Sequence, residues 1–319
     1  MPSPDREDIH IISRNSNWSA PGVHKALKEQ VYNNQSAWQR FLKLLFISLG
    51  IGFTTAGIVF FFAYNWDNLH KFVKIGLIEG LVIVSTLLIV FSRLSTLLKN
   101  ILLTGAAVLV GVLMAVFGQV YQTGANAYDL FLSWTLAITI WVVVANFPPL
   151  WLVYALLINT TLNLYAEQVA NHWPDELVYF LQFLVNTALL LGVLFMAKKN
   201  TAASPSWFRI ILALAAATTG TIAMMAGIYG HKGVTFLVMF PTVAILYTLG
   251  FFYGLRQKSL FYISVISFSA IVIIAAWFID LSHDAGMYLF ASLFIIASIT
   301  FLIKKLIDLQ KQWAHEKGA

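Results

Sequence analysis

Residues 101–121 read ILLTGAAVLVGVLMAVFGQVY, a continuous apolar run without one charged side chain. A helix rises 1.5 Å per residue, so a run of this length crosses the ~30 Å hydrocarbon core of a bilayer. A membrane β-barrel instead needs segments of about ten residues that alternate in polarity. No alternation is present, and the segment is read as a transmembrane helix. Working outward, comparable runs precede it at Phe41–Tyr64 and Phe72–Ser92. Others follow at Leu130–Phe147, Leu150–Tyr165, Leu177–Ala197, Phe208–Tyr229, Val234–Leu255, Leu260–Leu281 and Met287–Ile303.

The bulk composition agrees. Hydrophobic residues make up 59% of the 319 and charged residues 11%, with a mean hydropathy of +0.78, whereas a soluble domain carries about 25% charged residues. So few polar groups cannot cover a water-facing surface, and lipid must be the solvent. The expectation is an all-α polytopic transmembrane bundle of ten spans over residues 41–303. A polar tail with a short amphipathic helix (residues 1–40) precedes it and a second tail (residues 304–319) follows. The narrowest connection is Asn146-Phe147-Pro148-Pro149. Each proline removes a donor and restricts the residue before it, so a tight turn between two short spans is predicted.

The charges predict an orientation. Of the twenty Lys and Arg, all but Lys71, Lys74 and Lys232 fall on one side of a ten-span topology. Asp67, Asp129, Glu167, Asp175, Glu176, Asp280 and Asp284 fall on the other. Short loops rich in Lys and Arg stay in the cytoplasm, so both termini are expected inside. No signal peptide is evident, and the first span is expected to act as an uncleaved anchor. The net charge of +6 sits beside span ends, where it meets anionic headgroups, and not in an aromatic-interleaved groove for nucleic acid. The absence of cysteine excludes disulfides and thiolate chemistry. No nucleophile elbow, phosphate loop or useful carboxylate pair is visible, and no cofactor is expected.

Two turns carry a resemblance. Ala63-Tyr64-Asn65-Trp66-Asp67-Asn68-Leu69, and Phe117-Gly118-Gln119-Val120-Tyr121-Gln122-Thr123-Gly124 continuing through Tyr128 and Asp129 to Trp134, resemble bacterial predicted membrane proteins grouped as domain of unknown function 2157. The resemblance covers residues 20–165. It implies a bacterial inner-membrane setting and suggests that Asn65, Trp66, Asp67, Gln119, Tyr121, Gln122 and Asp129 form a shared site or a structural clasp. It carries over no activity.

Other candidates come from the residues alone. Glu79 is the one acid inside a span, and intramembrane acids are a functional hypothesis by default. It lies within Gly76-Leu77-Ile78-Glu79-Gly80, a spacing that permits close helix approach. Its carboxyl is therefore expected near a packed interface, with Thr54 and Thr55 as partners. Asn159 and Asn163 share a face of the fifth span, and Gln182 and Asn186 a face of the sixth. The two pairs are expected to face each other, as amide glue between helices or as the lining of an outer polar vestibule with Glu79 and Gln119. His70, His172, His231 and His283 lie in outer loops, but zinc needs three or four ligands to converge, and scattered headgroup-facing residues are the better reading.

The leading functional reading is a transporter- or flippase-like protein. It would handle a small or lipid-linked molecule through an outer-half polar pocket. The alternative is a non-catalytic membrane subunit or scaffold, with a membrane-protein partner or a second copy of itself. An intramembrane enzyme using outer His and Asp is the poorest of the three, because three outer lysines cannot clamp charged donors.

Overall fold

The structure is a computed structural model that describes residues 9, 12–14, 16–28, 35–64, 70–199, 204–230 and 232–318. A short helix over Ala20–Ala26 is capped by Ser19, whose Oγ accepts from the Gly22 N–H. Beyond it lie ten helices long and apolar enough to cross a membrane, and no strand occurs among the described residues. They are α1 (Gln35–Tyr64), α2 (Lys71–Phe91), α3 (Thr96–Tyr121), α4 (Ala127–Ala145), α5 (Pro148–Gln168), α6 (Asp175–Lys199), α7 (Ser206–Tyr229), α8 (Val234–Arg256), α9 (Leu260–Leu281) and α10 (Ala285–Gly318). The chain is an all-α, multi-pass membrane protein.

Local chemistry sets the helix ends. At the double proline, Asn146 takes a left-handed conformation (φ 43°, ψ 44°) that ends α4. Pro148 then opens α5 at the first helical position, where its missing N–H leaves no bond unmade. The predicted turn is therefore built by Asn146 and Phe147, while both prolines are helical. Pro241 lies inside α8, which continues through it. The last helix outruns its expected span, reaching Gly318. At its start the Asp284 carboxylate accepts from the Met287 N–H (2.7 Å) and the Ser282 hydroxyl (2.8 Å). These bonds, the Met287 one foremost, hold its carboxyl below the usual range. The cap is thus complete above ordinary carboxylate pKa values and is lost as pH falls through the depressed one.

The contacts divide the chain into two compact units, and the division falls inside α3, between Leu109 and Val110. In the first unit the α3 backbone approaches α1 at Gly105, where a Cβ would stand 2.9 Å from Ile51 Cγ2. Helix α2 buries only Lys74 and Ile78. The remaining apolar side chains of α2 are surface that lipid can solvate.

The second unit holds the main core. Phe180 and Phe183 of α6, Ala223, Met224 and Ile228 of α7, Phe236, Met239 and Val243 of α8, and Ala276 of α9 pack together. The central element is α7. Its buried residues Ala213, Ala216, Ala217, Gly220, Ala223 and Gly227 form a small-residue face. In lipid, where apolar side chains gain nothing by leaving solvent for each other, such faces hold helices by close contact. A Cβ at Gly220 would meet Phe183 Cδ2 and Tyr247 Oη at 2.8 Å each. The Tyr247 hydroxyl donates to the Ala217 carbonyl (2.7 Å), which fastens α8 to α7.

Gly220→Ala is predicted to lower stability by about 1–3 kcal/mol through overpacking, despite the gain in helix propensity. Gly192→Ala on α6, where nothing lies within 4 Å of the new methyl, is predicted to be neutral or slightly stabilising. Thermal unfolding of the two variants in one detergent checks the contrast.

Candidate functional site

The expected site residues fall into three groups. Asn65, Trp66 and Asp67 lie outside the described residues, as does His231. The second group, in the glycine–glutamine–tyrosine signature, builds helix ends. Gln122 is left-handed (φ 43°) and Gly124 has φ 66°, and the Thr123 N–H returns to the Gly118 carbonyl (3.3 Å). A six-residue return bond over a left-handed residue is a Schellman stop. Gln119, Tyr121 and Gln122 are exposed on this stop, with the Tyr121 ring against Phe117 (4.6 Å). Across the loop, the Asp129 carboxylate accepts from the Asn126 N–H (3.0 Å) at the start of α4. The adjacent Tyr128 N–H donates to Gln168 Oε1 at the end of α5 (3.0 Å). Trp134 seals the α3–α4 contact: a Cβ at Gly111 would stand 2.4 Å from its ring.

Glu79 is placed differently from expectation. It is exposed on α2, about 100° around the helix from buried Ile78. Nothing lies within 4 Å of a Cβ at Gly76 or Gly80, so among the described residues this spacing makes no close helix contact. Thr54 is exposed. Thr55 turns instead toward Gly105 and donates to its own Ile51 carbonyl (2.8 Å). The buried stripe of α2 runs through Lys74 and Ile78, four apart, and Glu79 falls off it.

The third group is brought together. Asn159 Nδ2 donates to Asn186 Oδ1 (2.9 Å), and Asn186 Nδ2 donates back to Asn159 Oδ1 (3.1 Å). Asn159 also donates to the Ala155 carbonyl (2.7 Å). Gln182 Nε2 reaches Asn163 Oδ1 (2.7 Å) and the Asn159 carbonyl (3.3 Å). Gln182 and Asn186 are buried, whereas Asn163 at the end of the ladder is exposed. The amides thus satisfy one another between α5 and α6, as buried polar groups in lipid must.

The same helix carries a feature that the sequence reading did not single out. One residue round from the amides, Phe183 and Thr187 line a cavity of about 310 Å³ shared with α7, α8 and α9. Its walls include Leu190, Leu194, Leu246 and Tyr253, and Leu191 and Leu249, both more than half exposed, stand at its rim. Thr187 Oγ1 is buried without a hydrogen-bond partner. None of the expected site residues among the described ones lines this cavity or the larger groove between α8 and α9 around Phe240, Thr248 and Ile274. The only hint in the sequence is a threonine at helical spacing between leucines, a pattern shared with any apolar span. Glu176, read as a loop acid, is buried in the first turn of α6. Among the described residues no group of three His, Asp or Glu is placed to hold a metal.

Residues 18–151 match the model of the family described as Predicted membrane protein (DUF2157). The matched segment runs from the short N-terminal helix into the start of α5 and contains both signature turns. No curated protein and no solved structure matches the chain.

Asn186→Leu is predicted to cost about 1–3 kcal/mol, because it strands the Asn159 amide in an apolar interface. Adding Asn159→Leu removes the stranded group. The double variant is therefore predicted to be more stable than the sum of the single effects, by about 1 kcal/mol. Denaturant unfolding in mild micelles measures the cycle.

Proposed function

We propose that the protein is a transporter- or flippase-like carrier of a small lipid-linked or otherwise amphipathic molecule in a bacterial inner membrane, with both termini in the cytoplasm. The observation that supports it is the cavity on α6. Protein interiors are packed to crystal density with few voids, so a gap of this size among apolar side chains is space that a ligand can use. Here about 310 Å³ is left open behind Leu191 and Leu249, at a rim that faces lipid. An apolar chain entering sideways fills the volume, which is lined almost wholly by apolar side chains. The amide ladder along the neighbouring face of α6 holds α5 in place while the α6–α9 side admits the chain.

A second reading rests on its own observation. The amides bond one another between α5 and α6, and Gln122 and Asp129 shape helix ends. Both are properties of a scaffold subunit, whose exposed surfaces await a partner.

Proteoliposomes separate the two. With a fluorescent headgroup-labelled phospholipid, the carrier reading predicts transbilayer movement several-fold above protein-free vesicles. It also predicts a marked slowing by Ala213→Leu, which pushes extra carbons into the cavity. Movement no faster than in empty vesicles, together with constant copurification of a second membrane protein, would support the scaffold reading and overturn the carrier.

A further inference from the structure

We propose that Arg209, with the tyrosines at the adjoining end of the α6–α9 cavity, holds the phosphate of a lipid whose chain lies in that cavity. Arg209 is the fourth residue of α7. Among the described residues its Nε is buried without a hydrogen-bond partner, and no carboxylate pairs with it. A buried charge is costly until something of opposite sign meets it, and such a residue in a membrane span marks a functional position. An arginine that only anchors a helix end reaches out to water or headgroups. A covered, unanswered Nε–H instead marks a place for an acceptor.

The cavity begins one turn further along the helix. Arg209, Ala213, Ala216 and Ala217 follow at helical spacing on one face of α7, and the three alanines line the cavity. Helical side chains lean toward the N-terminus, so the guanidinium belongs at the end of the cavity and not within it. Tyr253 and Tyr262 line that same end and pack edge to face, 5.4 Å apart. Tyr262 is close enough for the charge of Arg209 to act on its phenol. Just ahead of α7, Ser204 Oγ is also buried without a partner.

These groups are a guanidinium, two phenols and a hydroxyl, which can all donate. Glu316, an acid at the end of α10, is engaged by Lys258. A ligand suited to this end brings negative charge and several acceptor oxygens, and arginine with phosphate is the strong pairing of that kind. The cavity beyond is lined almost wholly by apolar side chains, which a free ion would leave empty. Arg209 and Ala213 are about 6 Å apart along the axis, so one amphiphile can place its phosphate at the first and its chain beside the second. The inference rests on the cavity admitting a chain, as the carrier reading does, but it requires no transport.

Native mass spectrometry of the purified full-length chain, released from an uncharged detergent, tests the site. The probes are dioleoyl phosphatidic acid, dioleoylglycerol and inorganic phosphate. The two lipids share their chains and differ in the phosphate. Phosphatidic acid is expected to bind about tenfold more tightly than dioleoylglycerol, the scale of a charge-assisted hydrogen bond. Arg209→Gln is expected to erase that preference and leave dioleoylglycerol binding unchanged, which loss of a structural contact would not do. Arg256→Gln removes an exposed cation at the end of α8 and is expected to shift the preference by no more than about twofold. Ala213→Leu, which narrows the cavity, is expected to weaken both lipids. Equal binding of the two lipids by the unmodified chain overturns the phosphate site, needs no variant to fold, and leaves the carrier reading standing. Binding of neither lipid also overturns it, and the transbilayer assay then decides the carrier reading separately. Displacement of phosphatidic acid by inorganic phosphate, with no effect of Ala213→Leu, gives the site to a free anion and overturns the lipid. An undiminished preference in a folded Arg209→Gln overturns the role of Arg209.

Discussion

Close approach along α7 is the constraint on which the second unit depends. Without a hydrophobic driving force between helices in lipid, association rests on van der Waals contact and inter-helix hydrogen bonds. Alanine and glycine on α7 let the Phe183 and Tyr247 side chains touch the helix at Gly220, and they bring Tyr247 close enough to bond the Ala217 carbonyl. The core of aromatic and methionine side chains assembles around that face. The same closeness leaves a gap further along, where small residues of α7 face Thr187 and the packing is not completed.

Polar groups in the second unit divide into satisfied and unsatisfied sets, and the division carries the functional reading. The Asn159, Asn163, Gln182 and Asn186 amides answer one another, and Asp129 closes a helix end. Groups of this kind explain the fold. Thr187, whose hydroxyl is buried without a hydrogen-bond partner, does not serve the fold in this way, and its side chain lines the cavity on α6.

Much of the fold was legible because lipid imposes simple rules. A charge-free run such as residues 101–121 has one stable solution in hydrocarbon, and all ten spans emerge close to their expected places. The amide pairs were legible too, since a four-residue spacing on consecutive antiparallel helices leaves few other partners. Glu79 was misplaced because a glycine pair at helical spacing permits close contact without demanding it, and the buried stripe of α2 runs through Ile78 instead. The burial of Glu176 and of the Thr187 hydroxyl was hidden for a related reason. Glu176 stands beside Asp175 in the sequence, and only the packing separates the buried residue from the exposed one. Thr187 resembles any threonine in an apolar span until the packing around it is known.

The central claim is that the space behind Thr187 belongs to lipid chains and not to a sealed core. The chain has no native cysteine, so Thr187→Cys provides a single attachment point for a nitroxide label in bilayer-reconstituted protein. Collision with dissolved oxygen, which partitions into hydrocarbon, is predicted to be high there, and collision with a water-soluble nickel chelate low. Low collision with both reagents, as for a label buried in close-packed protein, would contradict the account.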